Sequence, residues 1–186
     1  MAETPSTMIP LGTKAPDFRL LDVVSDKYRS LQELKSNTAT VVMFICNHCP
    51  YVKLIQSKLV ELAKHYQTKN IRFIAINSND IEHYPADAPD KMKSEAEQHD
   101  YPFPYLFDET QEIAKAYHAA CTPDLYVFNA QLECVYRGRF DSATPGNGQP
   151  VTGADLSHAL ENILANKPVS ADQKASVGCN IKWKRK

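Results

Sequence analysis

Val41-Val42-Met43-Phe44-Ile45-Cys46-Asn47-His48-Cys49-Pro50 is the stretch on which the reading of this chain turns. Its first five residues are apolar without alternation, the pattern of a strand buried on both faces of a parallel sheet. After Pro50 the apolar positions Val52, Ile55, Leu59, Leu62, Ala63 and Tyr66 recur at spacings of three and four, which predicts an amphipathic helix laid on that sheet. Ile71-Arg72-Phe73-Ile74-Ala75-Ile76 supplies a second strand and completes a βαβ unit. Where the first strand meets the helix stand two thiols separated by two residues. A C-x-x-C pair in that position reads as a redox site, whereas zinc would ask for a second pair downstream, and none follows.

Toward the N-terminus, residues 1–16 carry Pro5, Pro10 and Pro16, which predict an irregular arm. Phe18 and Leu20 alternate with polar neighbours, as in a short edge strand, and Ser30 with Glu33 has capping-box spacing ahead of Leu31 and Leu34. Toward the C-terminus a helix is expected over residues 89–99 with proline in its first turn, then a short strand at Tyr105-Leu106-Phe107. Asp108 and Gln111 have the spacing to cap a helix running to about His118. Residues 125–128 and 134–137 read as an antiparallel hairpin, and the Gly, Pro, Ser and Asn of residues 141–152 as a surface loop bordering a site. Thr152 and Asp155 open a last helix whose buried stripe is Leu156, Leu160, Ile163 and Leu164; the tail, residues 167–186, has no period. The sum is an α/β chain with a central mixed sheet and helices on both faces.

With 186 residues and 43% hydrophobic content, one domain is expected, flanked by the arm and the tail. Twenty-one basic against 22 acidic residues give a net charge of -1, which offers no broad attraction to nucleic acid or to an anionic membrane. The N-terminus lacks an apolar leader, and no stretch approaches the ~18 apolar residues of a membrane span, so a soluble, cytoplasmic protein is expected. In that reducing compartment the five cysteines, Cys46, Cys49, Cys121, Cys134 and Cys179, argue against a disulfide scaffold and for transient, catalytic use. No cofactor is implied.

Thiols at this spacing can attack a target disulfide and resolve the mixed disulfide in turn. Cys46 is expected to attack and Cys49 to resolve, because a helix N-terminus lowers a thiol from about 8.5 to roughly 3.5–7.5. Pro50 qualifies this order. A proline in the first helical position makes Cys49 the cap and favours its sulfur instead, and the sequence leaves that boundary open. His48 brings a positive charge or a donor near the Cys46 sulfur, which tunes its pKa and makes the pair more oxidising. Cys121 reads equally as core or as a neighbour of the site, Cys134 as core, and Cys179 is open. A zinc or copper site is the alternative from another class; it requires two further ligands, drawn from Cys121, Cys179, His48 or His118.

Three segments, residues 44–52, Cys121-Thr122-Pro123-Asp124 and residues 178–184, together resemble the peroxiredoxin-like branch of the thioredoxin superfamily, the redoxin or AhpC/TSA-domain proteins. The resemblance spans nearly the whole chain. It implies a thioredoxin-like fold, a cis Thr122-Pro123 bond whose loop faces the cysteine pair and positions substrate, and an antioxidant or disulfide-exchanging enzyme. Partners would be protein or small-molecule disulfides or peroxides, with a thiol reductant. In true peroxiredoxins the peroxide-attacking cysteine matches Cys49, and a Pro and a Thr stand where this chain has Val42 and Cys46, which argues against fast peroxide reduction. The buried acid that thioredoxin carries before its motif is replaced near Thr40, and Arg137 or Arg139 is the candidate for a peroxiredoxin arginine.

Overall fold

The first strand and the helix after it form as their residue patterns require. In the computed structural model, which describes residues 3–185, the strand at Ala39–Phe44 is buried at every position, and the helix that follows spans Pro50–Gln67. In chain order the elements are β1 (Glu3–Pro5), β2 (Arg19–Asp22), β3 (Lys27–Ser30), α1 (Leu31–Leu34), β4 (Ala39–Phe44), α2 (Pro50–Gln67), β5 (Ile71–Asn77), α3 (Pro89–Gln98), β6 (Tyr105–Phe107), α4 (Glu112–Ala116), β7 (Cys121–Thr122), β8 (Asp124–Asn129), β9 (Cys134–Tyr136), α5 (Ala154–Leu164) and β10 (Val177–Asn180). A single 3-10 turn, Pro85–Asp87, precedes α3.

Seven strands form one sheet in the order β3-β2-β6-β5-β4-β8-β9. β4 runs parallel to β5, and β5 to β6, while the other neighbours are antiparallel, so the sheet is mixed. Side chains alternate across a strand. Val41 and Met43 therefore join α2, α3 and α5 in one core, and Val42 and Phe44 join Leu31 of α1 and Ala114 of α4 in the other. Each fully buried aliphatic or aromatic side chain of this kind contributes ~1.5–3 kcal/mol of transfer free energy. This is the expected α/β, thioredoxin-like architecture with helices on both faces. Among the described residues no helix is long and apolar enough to cross a membrane.

Four local expectations are corrected. β2 lies between β3 and β6, so β3 is the edge and Phe18 stands just outside the strand. Asp108 does accept the Ile113 and Ala114 amides, but α4 starts only at Glu112, because the Gln111 side chain is drawn to the Ser78 and Lys182 carbonyls. At α5 the cap is Gly153 (φ 66°), while Asp155 is taken by Arg139. The arm and the tail hold strands: β1 and β10 pair, and β10 pairs with β7, in a second, three-stranded antiparallel sheet. The Ser30 and Glu33 capping box forms as read.

Candidate active site

α2 begins at Pro50, so Cys49 is its N-cap and Cys46 lies in the turn between β4 and the helix. The proline costs the helix nothing there, since the first amide has no partner within the helix, and its fixed φ suits the first turn. The positive end of the helix thus faces the Cys49 sulfur more directly than that of Cys46. This is the boundary that the sequence left open, and it favours a thiolate at Cys49, the reverse of the order expected from the motif alone.

Both sulfurs are held by Thr122. The Cys49 thiol points at the Thr122 carbonyl (Sγ to O 3.2 Å), and Cys46 Sγ lies 3.5 Å from the Thr122 hydroxyl. The Thr122-Pro123 bond is cis, as the resemblance implied. The Cys46 thiol beside it pushes Cys49 down to about 4, helped by the Cys179 thiol, by Thr122 and by the Val52 amide, and opposed by burial. That amide favours the charge without a cap bond of hydrogen-bond geometry. Cys46 moves the other way: its contact with Cys49, its burial and the nearby Asp87 carboxylate all hold it protonated. The pair is therefore asymmetric: Cys49 ionises the more readily of the two, and Cys46 holds its proton more tightly. Neither is open to solvent, with Cys46 2% and Cys49 0% exposed.

Behind Cys46 stands an acid that sequence reasoning missed. Asp87, fully buried, accepts from the Asn47 amide (2.7 Å), from Asn77 Nδ2 (3.2 Å) and from Asn79 Nδ2 (2.9 Å). His48 Nδ1 lies 2.7 Å from Asp87 Oδ2, off the line of a true hydrogen bond, and the ring stacks on Tyr84 at 5.6 Å. Burial would raise the Asp87 carboxyl; His48 and the amide donors outweigh it and keep the group ionised below its usual range. The same contact raises His48 above the ordinary imidazole value. Tyr105 closes the network by donating to Asn47 Oδ1 (2.9 Å). A signal for this network was present in Asn77-Ser78-Asn79-Asp80, polar side chains placed directly after an apolar strand, which needed buried partners.

Cys46, His48 and Asp87 offer one sulfur, one ring nitrogen and one carboxylate oxygen within 4.8 Å of one another, a donor set that suits zinc. Both Asp87 oxygens already accept from Asn47, Asn77 and Asn79, whereas both His48 ring nitrogens are buried without a hydrogen-bond partner. His118 lies outside this set. Thr40, the residue near thioredoxin's buried acid, is occupied by the Ser36 amide.

The remaining candidates separate. Cys179, on β10, reaches the Cys49 sulfur and sits opposite Thr122. Cys121 is buried on β7, its thiol directed at the Pro123 carbonyl and held protonated mainly by burial. Cys134 is core, as read, with its thiol toward the Tyr136 carbonyl. Arg137 does not join the site: it bonds the Ile9 carbonyl (2.9 Å) and Gln173 (2.7 Å). Arg139 pairs with Asp155 (2.6 Å). The loop expected to border a site does so, since Asp141, Ser142, Ala143 and Thr144 face Tyr51 and Pro123 across a cleft that Ala175 and Val177 complete.

A model of the AhpC/TSA family matches residues 11–137. Among solved structures, an uncharacterized conserved protein from Geobacillus kaustophilus is 54% identical, with 100% of this chain and 98% of that one covered at a TM-score of 0.98. A hypothetical protein from Sinorhizobium meliloti 1021 is 44% identical, with 98% and 100% covered and a TM-score of 0.96. The thioredoxin domain of a thiol-disulfide oxidoreductase from Bacteroides vulgatus shares the fold at 14% identity, with 69% and 88% covered and a TM-score of 0.59. No curated protein matches.

Proposed function

The chain belongs to the AhpC/TSA family, within the redoxin branch of the thioredoxin superfamily, and from that premise we propose that it is a thiol-disulfide oxidoreductase in which Cys49 attacks and Cys46 resolves. The observation that carries this reading is the asymmetry of the pair: a low-pKa sulfur at the cap of α2 and a protonated one beside His48 and Asp87. The Cys49 thiolate attacks one sulfur of a disulfide R–S–S–R′, bonding to it and releasing R′S⁻, which takes up a proton. The Cys46 thiol then gives its proton to neutral His48 and attacks the Cys49 sulfur. RS⁻ departs, the Cys46–Cys49 disulfide remains, and a thiol reductant of the reducing cytoplasm restores the two thiols. His48 thus serves as the proton acceptor for Cys46, with Asp87 holding it in place. Pro123 and the cleft beside Tyr51 position the partner.

A second reading has its own support in the closure of the site, which admits a small hydroperoxide more readily than a folded protein. Cys49 would then take an oxygen as sulfenic acid while the alcohol or water leaves, and Cys46 would condense with it, releasing water.

Single variants test both readings. With dithiothreitol as reductant and a small model disulfide as substrate, Cys49→Ser falls to background, and Cys46→Ser still attacks the substrate through Cys49 but forms no Cys46–Cys49 disulfide. Undiminished turnover by Cys49→Ser would sink the assignment. Hydrogen peroxide as substrate for the same variants separates peroxidase from exchange.

A further inference from the structure

Cys179 arrives at the sulfur pair from the far end of the chain. β10 places it directly opposite Thr122 on β7 and, on the other side, opposite Glu3 on β1. Residues facing one another in an antiparallel pair project to the same side, with Cβ atoms ~4.5–5.5 Å apart. Thr122 is the residue whose carbonyl and hydroxyl hold Cys49 and Cys46, so its partner across the ladder stands on their side. The three cysteines accordingly belong to one buried cluster, with Cys179 against the Cys49 sulfur. Cys121, one position along β7, projects to the other face.

The approach is enforced by a glycine. A Cβ at Gly178 would stand 2.0 Å from the Thr122 carbonyl oxygen, so no other residue lets β10 lie this close to Thr122. Glu3 adds a clasp, accepting from the Tyr51 hydroxyl (2.7 Å) at the start of α2. The tail strand is held on the cysteine pair from both of its edges.

We propose that Cys179 is the third redox thiol of this site and can pair with Cys49 in place of Cys46. The proposal rests on the exchange reading of Cys46 and Cys49. When those two are oxidised, Cys179 attacks the Cys49 sulfur; the Cys49–Cys179 bond forms, the Cys46–Cys49 bond breaks, and Cys46 leaves as a thiolate that takes the proton Cys179 gives up. One disulfide replaces another, with no net transfer of electrons. When Cys49 instead carries a mixed disulfide, the same attack expels the substrate thiol. The electrostatics agree with this order of events. In the reduced site, burial first and then the Cys49 sulfur hold Cys179 up to about 12, and the second of these influences disappears once Cys49 is bonded to another sulfur. The third thiol is dormant in the reduced site and is released on oxidation.

The test exposes full-length Cys46→Ser to oxidised glutathione, blocks free thiols, and maps disulfide-linked peptides by mass spectrometry beside the wild type. The expected product is a Cys49–Cys179 link with glutathione released; in Cys46→Ser combined with Cys179→Ser, glutathione stays on Cys49. Gly178→Ala, which pushes β10 off Thr122, is expected to lose the link in the Cys46→Ser background while the wild-type pair still oxidises. Persistent glutathione on Cys49 with Cys179 alkylated in Cys46→Ser, while wild type forms Cys46–Cys49, overturns the third thiol and leaves the exchange reading standing. Failure of the wild type to form its own disulfide overturns the exchange reading, and this proposal with it.

Discussion

The seven-stranded sheet and the three-stranded sheet hold the same sulfurs from opposite sides and by different means. The large sheet delivers Cys46 and Cys49 through one continuous segment: β4 buried on both faces, a tight turn, then α2 with Pro50 in its first turn. The small sheet closes over them with segments from both chain ends, β1 and β10, which meet β7 at Thr122. The first arrangement is bought by burial; its energy is spread over two cores. The second rests on few contacts, a short ladder, a glycine and one tyrosine bond. The difference teaches that the two sulfurs are delivered by one sheet and enclosed by the other: the large sheet carries Cys46 and Cys49, and the small sheet brings Thr122 and Cys179 against them.

The contrast breaks most visibly at Phe44, packed against Tyr117 at 5.6 Å and Tyr126 at 6.1 Å. Phe44→Ala is expected to lower stability by ~3–5 kcal/mol, the usual cost of emptying an aromatic core site, read from the denaturant midpoint at unchanged slope. The Cys49 titration of the protein that remains folded should not move.

A smaller effect is expected at Asp87. His48 must be neutral to accept the Cys46 proton, so the resolving step speeds up as pH rises through the raised His48 value, above ~6.5. Asp87→Asn removes the carboxylate that raises His48 and leaves burial, which lowers it, so the midpoint of the profile moves down. The same change removes a charge that keeps Cys46 protonated, which shifts the profile in the same direction. Stopped-flow measurement of second-thiol release against pH reads this, and an unmoved midpoint removes His48 from the mechanism.

Smallest is Tyr51→Phe. Loss of the bond to Glu3 costs ~0.5–1.5 kcal/mol of local closure, with little effect on global unfolding. Hydrogen exchange should quicken in β1 and β10 and stay unchanged in β4 and β5. Uniform acceleration would mean that the two sheets open together.

The same division explains what the sequence made legible. β4, α2 and β5 follow from periodicities that act within a few residues, and the Cys49 cap follows from Pro50 once the helix start is located. β1 and β10 carry no such signal. Val177-Gly178-Cys179-Asn180 has neither period nor length, and its pairing partners lie at the opposite end of the chain and beside Pro123. Asp87 was hidden for a related reason: it sits in an irregular, proline-bearing segment, and its role comes from Asn47, Asn77 and Asn79 closing around it. Two capping patterns failed because stronger partners claimed the side chains, Arg139 in the case of Asp155 and the Ser78 and Lys182 carbonyls in that of Gln111. Arg137 could be placed near the site only by resemblance, and its bonds to Ile9 and Gln173 direct it elsewhere.

The central claim is that Cys49 carries the thiolate. The direct measurement is the ultraviolet thiolate absorbance of the reduced protein, titrated from neutral pH downward in the wild type and in the Cys49→Ser and Cys46→Ser variants. One thiolate should persist in the wild type to about pH 4, survive in Cys46→Ser, where the serine hydroxyl donates in place of the thiol, and be absent from Cys49→Ser. A low-pH thiolate that vanishes in Cys46→Ser and remains in Cys49→Ser would contradict the account.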